Sequence, residues 1–295
     1  MRKLGLFALC VLIGVAAGYP MFWMVSTGLK SRAEFLESTW SIPRRPRYEN
    51  YLLVWYGERT CQKCGKEFAG TRCPSCGWEP ERQTEPFKRY YVNSIIVNAV
   101  SLVLIVLSSA LAGYAFARMR FRWKEPLFYL FLAGMMVPVH ITLIPLYRLT
   151  SALPIGYFVL ILPYTAFSIP VSVFILRGFF EEIPVELEEA ARLDGCSDLG
   201  VFLRVMLPLS KPALATVAII NFVNNWNEFV FATTFIRSPE MKTIPVGLMD
   251  FSDSFAGDPT LVCAALTLSV VPVMVCYVFL QRQIISGLTA GALKQ

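Results

Sequence analysis

The sequence predicts an all-α, polytopic membrane protein with six transmembrane helices and a small four-cysteine knuckle inserted in the first extracytoplasmic loop. Of the 295 residues, 55% are hydrophobic and 16% are charged, whereas soluble domains usually carry about 25% charged residues. The apolar residues stand in long runs, and a helix needs about 20 of them to cross the hydrocarbon core of a bilayer. Four of the cysteines form two C-x2-C pairs in one polar segment.

Six apolar runs are long enough to span a membrane, and together they form one transmembrane domain over residues 1–295. The predicted spans cover residues 4–28, 91–117, 126–147, 154–176, 212–236 and 260–281. The fifth contains Glu228, and we interpret it as one helix with a single buried or interfacial carboxylate. The first could be a secretory signal, but a signal has an apolar region of only about 7–15 residues, so we expect a retained anchor.

The basic residues predict the orientation of these spans. The short link after the second span carries an excess of positive charge over one acid, Glu125, in the residues Arg118, Arg120, Arg122 and Lys124. Short basic links stay in the cytoplasm. Six spans then place both termini in the cytoplasm and the long segment 30–89 outside. We attribute the net charge of +6 to this topology and expect no nucleic-acid partner.

The segment 177–211, between the fourth and fifth spans, predicts two short helices joined by a sharp turn. Pro184 suits a first helical turn because it has no N–H to leave unpaired. Strong helix formers follow, and Gly195 can take the left-handed conformation that ends a helix. Ser197 or Asp198 can cap a second helix, whose apolar stripe is Val201, Phe202, Val205, Met206 and Leu209. Proline ends that helix, at Pro208 and Pro212.

This hairpin could rest on lipid or dock into another protein. Its first helix carries Glu186, Glu188 and Glu189 against Arg192 alone, whereas helices that bind a membrane surface usually have a basic polar face. Small side chains at Ala190 and Ala191 allow close approach to a protein groove. The pattern favours docking to a protein partner.

Several motifs in this chain resemble those of ABC importer permeases of the maltose and glycerol-3-phosphate type. The resemblance covers nearly the whole chain except residues 60–84. It rests on Glu189-Ala190-Ala191, Asp194-Gly195, Leu207-Pro208, Pro212, Asn93-Ser94, Pro138, Ile144-Pro145-Leu146-Tyr147, Trp226-Asn227-Glu228-Phe229 and the run Gly287 to Lys294. In that family the loop between spans four and five is the coupling, or EAA, loop, which docks on a separate ATPase.

The resemblance implies a transport subunit in the plasma (inner) membrane of a prokaryote. Its expected partners are a dimer of ABC ATPase subunits, a second permease, an extracytoplasmic solute-binding protein and membrane lipid. The expected cargo is a sugar or related polyol. The expected ATPase-coupling residues are Glu186, Glu189, Ala190, Ala191, Asp194, Gly195, Leu207 and Pro208.

ATP is expected only on a partner chain, because the sequence has no G-x-x-x-x-G-K-[ST] phosphate loop. The chain also shows no cluster of acids, histidines and nucleophiles at one membrane face, so we do not expect an enzyme. The alternative is an ion-coupled secondary transporter or channel subunit without an ATPase. That alternative leaves the acidic helix–turn–helix segment without a role.

A candidate substrate path follows from the polar residues of the fifth span, which are Asn224, Asn225, Asn227 and Glu228. A carboxylate within a membrane is costly and often functional. Glu228 could line the path, or it could be a structural carboxylate paired with the companion permease. Prolines in spans three and four favour a path along that side through helix kinks; they are Pro138, Pro145, Pro163 and Pro170.

The segment 60–84 carries the motif C-x2-C, an eight-residue spacer and C-x2-C, formed by Cys61, Cys64, Cys73 and Cys76. Gly65 and Gly77 follow the second cysteine of each pair, as in zinc-ribbon and rubredoxin-like knuckles. Four thiolates at this spacing suit structural zinc, with iron as a second choice. Two disulfides or a redox role are the alternatives, because the predicted topology places the segment in an oxidising compartment.

Overall fold

A computed structural model describes residues 2–60, 63–64, 67–69, 74–77, 85–151, 156–255 and 257–292. Four helices in this part of the chain are long and apolar enough to cross a membrane. Two further pairs of shorter helices meet the same test as bent pairs, so the number of spans is four to six. The all-helical membrane part is therefore confirmed.

The four long helices match the predicted spans one, two, four and six. They are α1 (Arg2–Gly28), α4 (Phe87–Arg118), α7 (Phe158–Glu182) and α14 (Pro259–Ala292). Helix α7 extends six residues past the predicted end at 176 and continues through Pro163 and Pro170. These two prolines therefore lie inside a helix without ending it.

The third predicted span, over residues 126–147, consists of two helices with a sharp bend between them, near one of the prolines for which the sequence predicted a kink. Helix α5 (Lys124–Met135) and helix α6 (Val139–Ser151) meet at an angle of 99°. The break includes Pro138, which has no N–H to continue the hydrogen-bond ladder of α5. Pro145, in contrast, lies inside α6.

The fifth span is also interrupted, so its interpretation as one helix over 212–236 was wrong. Helix α11 (Lys211–Trp226) ends before Glu228, and a separate helix α12 (Val230–Phe235) follows. Upstream, α11 meets the helical segment Asp198–Leu209 at 75°. Pro212 lies in the first turn of α11, where its missing N–H costs nothing.

The segment between α7 and α11 forms the predicted helix–turn–helix. Its first helix is α8 (Val185–Leu193). Its second is one continuous helix made of α9 (Asp198–Val201), a π-helical segment (Phe202–Met206) and α10 (Leu207–Leu209). We call residues 183–210 the coupling loop.

The chain divides into two compact units, and the first comprises Met1–Asn93 with Ser238–Pro272. Its short elements are α2 (Arg32–Glu37), α3 (Glu49–Tyr56), the 3₁₀ turn Pro239–Met241 and α13 (Ile244–Ser254). Strands β1 (Glu58–Thr60) and β2 (Glu67–Ala69) pair antiparallel with Arg59 opposite Phe68. Lys30 is fully buried, and its Nζ donates to the carbonyls of Ser38 (3.1 Å) and Thr39 (3.0 Å).

The second unit comprises Ser94–Arg237 with Val273–Gln295. Its main core cluster joins α4, α7, the coupling loop and α11 through Ala110, Tyr114, Leu176, Phe180, Ile183, Val201, Phe202, Met206, Ala213 and Val217. Helices α4 and α7 approach closely at Gly113, where an added Cβ would lie 3.0 Å from Leu176 Cβ. This core is the support on which the coupling loop is built.

Candidate functional site

The first helix of the coupling loop has clear ends. Pro184 is in an extended conformation immediately before α8, and acidic residues occupy the first turn, where they complement the helix dipole. At the other end Gly195 has φ +84°. The N–H of Cys196 donates to Ala191 O and that of Gly195 to Arg192 O, both at 3.0 Å. These bonds form a Schellman motif, which confirms the predicted glycine turn.

The predicted docking residues divide into an exposed group and a partly buried group. Glu186, Glu189, Ala190, Asp194 and Gly195 are all exposed on α8 and its turn. Ala191 is half-buried and packs against the core, and so does Leu207 at the far end of the loop. Pro208 is exposed. The first group is thus available to a partner, whereas Ala191 and Leu207 anchor the loop.

The exposed surface of α8 also carries an apolar residue that our sequence reasoning did not select. Leu193, the last residue of α8, is 89% exposed. A single exposed leucine is common on protein surfaces, but its place beside the turn makes it part of any surface that a partner docking there would cover. The sequence feature that could have identified Leu193 was its position directly before Asp194-Gly195.

Pro208 gives the second loop helix its unusual geometry. Ser197 caps this helix by accepting a hydrogen bond from the Gly200 N–H (3.3 Å). In a regular α-helix the Pro208 ring would collide with the carbonyl of Arg204. The helix widens instead, with the Leu207 N–H bonded to Phe202 O, five residues back. Pro208 therefore widens the helix, and the predicted stop comes only at Ser210.

Aromatic packing holds this second helix on the membrane helices. The ring centroid of Phe202 lies 5.0 Å from that of Tyr114 on α4 and 6.4 Å from that of Phe180 on α7. Tyr114 and Phe180 also meet edge to face at 6.0 Å. Such ring pairs stabilise a core beyond their buried area.

Glu188 has a different place from the one that sequence reasoning gave it. We counted it with the exposed acids of α8, but it is buried, at 4% exposure. Its Oε1 lies 2.8 Å from Arg118 Nε in an ion pair. Arg118 Nη2 also donates to the carbonyls of Phe180 (2.7 Å) and Ile183. The sequence placed Arg118 only in the basic link, because no sequence pattern indicates that two residues 70 positions apart form an ion pair.

A cavity of about 790 Å³ lies beside this ion pair. Both signs of charge line it, from Arg118, Arg120, Lys124, Arg192, Glu188, Glu189 and Asp198. One opposite pair, Arg192 and Asp198, is joined at 3.0 Å. The mixed charges indicate a water-accessible cleft under α8.

Glu228 lies in the helix break and is bonded within its own chain. Its Oε1 accepts from the Phe231 N–H (2.8 Å), and its Oε2 accepts from the Ala232 N–H (3.2 Å) and the Tyr164 hydroxyl (2.7 Å). The carboxylate therefore satisfies the first N–H groups of α12, which no helical carbonyl can reach. It also ties α12 to α7.

The three asparagines predicted for the substrate path do not share one environment. Asn224 and Asn227 are exposed, whereas Asn225 is buried. Asn227 donates to Val223 O within α11 (2.9 Å). Sequence reasoning missed Asn221, whose Nδ2 donates to Ser172 Oγ on α7 (2.9 Å). Its spacing of four residues from Asn225 was the signal for a polar seam between helices.

Only part of the four-cysteine segment lies within the described residues. Cys61 and Cys73 fall outside them, and the described residues alone contain no group of three metal ligands. Strands β1 (Glu58–Thr60) and β2 (Glu67–Ala69) flank the first cysteine pair, Cys61 and Cys64, in sequence. Gly77, which follows Cys76, has φ +66°, the conformation expected of the glycine after a C-x2-C pair. The metal site remains a prediction.

Comparison with known proteins agrees with this geometry. Residues 95–289 match the family described as "Binding-protein-dependent transport system inner membrane component". The chain is 40% identical to an ABC transporter permease of Caldicellulosiruptor sp., over 94% of this chain and 92% of that one. It is 34% identical to the sulfoquinovosyl glycerol transport permease SmoH of Agrobacterium fabrum, over 94% and 88%.

The fold matches solved importers too. A bacterial ABC transporter that imports alginate has a chain that superposes with a TM-score of 0.76 at 21% identity, covering 96% of this chain and 97% of that one. The methionine transporter MetNI gives a TM-score of 0.52 at 18% identity, covering 68% and 94%. By sequence match and by fold, the chain belongs to the inner-membrane permease family of binding-protein-dependent transport systems.

Proposed function

We propose that this chain forms half of the translocation path of an ABC importer for a sugar or related polyol. The observation that carries the proposal is the coupling loop, in which an acidic helix with an exposed outer side sits on a core shared with α4, α7 and α11. Such a loop can receive force from a soluble partner and pass it to the membrane helices. ATP hydrolysis belongs to that partner.

The docking surface we propose consists of Glu186, Glu189, Ala190, Asp194 and Gly195, with Leu193 added from the structure. These residues are exposed, and Gly195 turns the chain sharply without a side chain in the way. The side chain of Ala190 is small, so the wall of a groove on the partner can lie close to the helix there. An acidic rim around a small apolar step suits a partner cleft with basic edges.

The remaining partners that we propose are those expected of this family. We propose a dimer of ABC ATPase subunits at the cytoplasmic face, a second permease in the membrane and a solute-binding protein outside, with lipid around the helices. Both termini are then cytoplasmic. The sulfoquinovosyl glycerol permease and the galactooligosaccharide permease GanQ of Bacillus subtilis, 30% identical over 99% of this chain and 96% of that one, support a glycoside as cargo.

Within the proposed path, the exposed Asn224 and Asn227 are the residues that can meet a sugar hydroxyl. Asn225 is buried and Glu228 is bonded to α12 and Tyr164, so we assign both to helix packing. In this assignment Glu228 is paired with groups of its own chain and not with the companion permease.

Co-purification tests the docking. The affinity-tagged wild-type chain should bring down an ATPase from native membranes, and Ala190→Arg should lose it, because the longer charged side chain fills the space left for the partner. Leu52→Arg places the same charge on an exposed site of α3 and should keep the ATPase. An ion-coupled transporter would bring down no ATPase in any variant.

We also propose that Cys61, Cys64, Cys73 and Cys76 bind one structural zinc ion, with iron as the alternative metal. The left-handed Gly77 and the pair of strands that flanks Cys61 and Cys64 support this. Elemental analysis of the purified complex should find about one zinc per chain, the number that a four-thiolate site holds, and the double variant Cys64→Ser/Cys76→Ser should abolish it. Cys10→Ser should leave it unchanged. If the protein contained no metal and its four cysteines reacted with an alkylating reagent only after reduction, the cysteines would form disulfides instead.

A further inference from the structure

Arg118 is the last residue of α4 and contacts two other elements of the second unit. Its Nε lies 2.8 Å from Glu188 Oε1 on α8 in an ion pair without an aligned N–H bond, while Nη2 donates to the carbonyls of Phe180 and Ile183 at the end of α7. Arg118 is largely covered and Glu188 is buried, with 12% and 5% of their side-chain surface exposed. One guanidinium therefore joins α4, α7 and the first coupling helix.

The geometry of this contact suits arginine alone among the basic side chains. The planar guanidinium presents several N–H donors in fixed directions, so Nη2 can donate to two carbonyls while the charge stays beside the Glu188 carboxylate. The two carbonyls lie at the end of α7, where no further helical N–H is available to them. A lysine could hold Glu188 or the carbonyls, since its ammonium is a compact point charge.

A second close contact joins the same helices further from the loop. At Gly113, one turn and a half before Arg118, an added Cβ would meet Leu176 Cβ at 3.0 Å and Arg177 N at 3.3 Å. Helices α4 and α7 thus pack backbone to backbone. With the Tyr114–Phe180–Phe202 ring cluster between these points, the ends of α4 and α7 have little freedom to slide.

We propose that Arg118 is a positioning residue that locks α8 to the ends of α4 and α7, so that these three helices move as one body when the partner ATPase turns over. The inference rests on the proposed docking of α8 to that ATPase. Arg118 itself is not part of the docking surface, because it and Glu188 are largely covered, whereas the docking residues are exposed. Its loss therefore disconnects the docked helix from the membrane helices without undocking it.

The test uses the whole complex with the double variant Arg118→Met/Glu188→Gln, which removes the lock and leaves no unpaired buried charge that would unfold the loop. Spin labels on p-acetylphenylalanine at Leu111 on α4 and Val185 on α8, both exposed, leave the native cysteines unlabelled. Pulsed dipolar spectroscopy then gives the distance between α4 and α8 in the nucleotide-free and vanadate-trapped states. Arg122→Met removes a charge from the same link as the matched control.

In the wild-type chain and in Arg122→Met, we expect one narrow distance that is the same in both states. In the double variant we expect the distribution to broaden on trapping, with the ATPase still co-purifying and its basal activity kept. The solute-binding protein, purified together with any ligand it carries from the cell, should no longer stimulate that ATPase activity. Arg118→Lys should recover part of this stimulation.

Three results would overturn the proposal. The wild-type distance could itself change on trapping, which would mean that α4 and α8 are not one body. The double variant could keep a narrow distance and full stimulation, which would leave Arg118 without this role. The double variant could lose the ATPase, which would make Arg118 part of docking; if Ala190→Arg also kept the ATPase, the proposed docking itself would be wrong.

Discussion

The hydroxyl of Tyr164 donates a 2.7 Å hydrogen bond to Oε2 of Glu228, and this bond connects α7 to the break between α11 and α12. The same carboxylate accepts the N–H groups of Phe231 and Ala232. A break in a membrane helix frees backbone groups that lipid cannot satisfy. Glu228 satisfies two of them, which explains why an acid is tolerated here.

The Tyr164–Glu228 bond should be measurable as stability. Tyr164→Phe removes the donor and should lower the free energy of unfolding by about 1.5–3 kcal/mol, the range for a hydrogen bond to a charged group. Glu228→Ala should cost more, because the α12 N–H groups also lose their acceptor. Thermal unfolding in detergent measures both. Tyr129→Phe, at an exposed tyrosine, should change nothing, and equal stability of all three variants would refute the role given to Glu228.

Gly113 should be intolerant of a side chain. Alanine there would place Cβ 3.0 Å from Leu176 Cβ, and overpacking of this kind costs about 1–3 kcal/mol. The matched control is Gly178→Ala on α7, where nothing lies within 4 Å of an added Cβ. That change should stabilise the helix by about 0.5–1 kcal/mol. Opposite shifts in the detergent melting temperature are the expected result, and shifts of the same sign would contradict it.

Gly195→Ala tests the turn of the coupling loop without a clash. Its φ is +84° and an added Cβ would meet nothing within 4 Å, so the cost is backbone strain alone, about 1–2 kcal/mol. The amides of Gly195 and Cys196, which close the Schellman motif, should exchange faster with deuterium. Gly200→Ala has ordinary contacts and a helical backbone, so exchange at those two amides should stay at its wild-type rate. An unchanged rate in Gly195→Ala would show that the turn does not need glycine.

Buried Lys30 should be a determinant of the first unit. Lys30→Met keeps the apolar stem but removes the donors to the carbonyls of Ser38 and Thr39, with an expected cost of about 1.5–3 kcal/mol for charge-assisted bonds. Lys88→Met, at an exposed lysine, serves as the control. Limited proteolysis of the segment 30–50 would detect the loosening. Equal cleavage in both variants would mean that Lys30 is dispensable.

Local signals were sufficient for much of this fold. Apolar runs identify α1, α4, α7 and α14 because each run exceeds the membrane thickness. The coupling loop could be predicted because Pro184, Gly195 and Ser197 act on their own neighbours. The effect of these residues on the backbone next to them does not depend on which other elements pack against the loop.

Interactions between distant residues were beyond the reach of the sequence. The pairing of Glu188 with Arg118 depends on how α8 folds back on α4, and amphipathic spacing alone put Glu188 outside. Glu228 was predicted to lie inside one helix, whereas the helix ends at Trp226 and the carboxylate caps the next one. The 99° bend after Met135 follows from packing as well as from Pro138, since Pro163 and Pro170 leave α7 unbroken.

The central claim is that the coupling loop faces the compartment of the ATPase, and the side of the membrane occupied by Leu193 tests it most directly. In the Ala190→Arg background, which should release the ATPase and uncover this surface, Leu193→Cys should remain unmodified by a membrane-impermeant maleimide in intact cells and react after permeabilisation, as read on its peptide by mass spectrometry. Leu52→Cys, on exposed α3, should react in intact cells. Labelling of Leu193→Cys from outside would contradict the account.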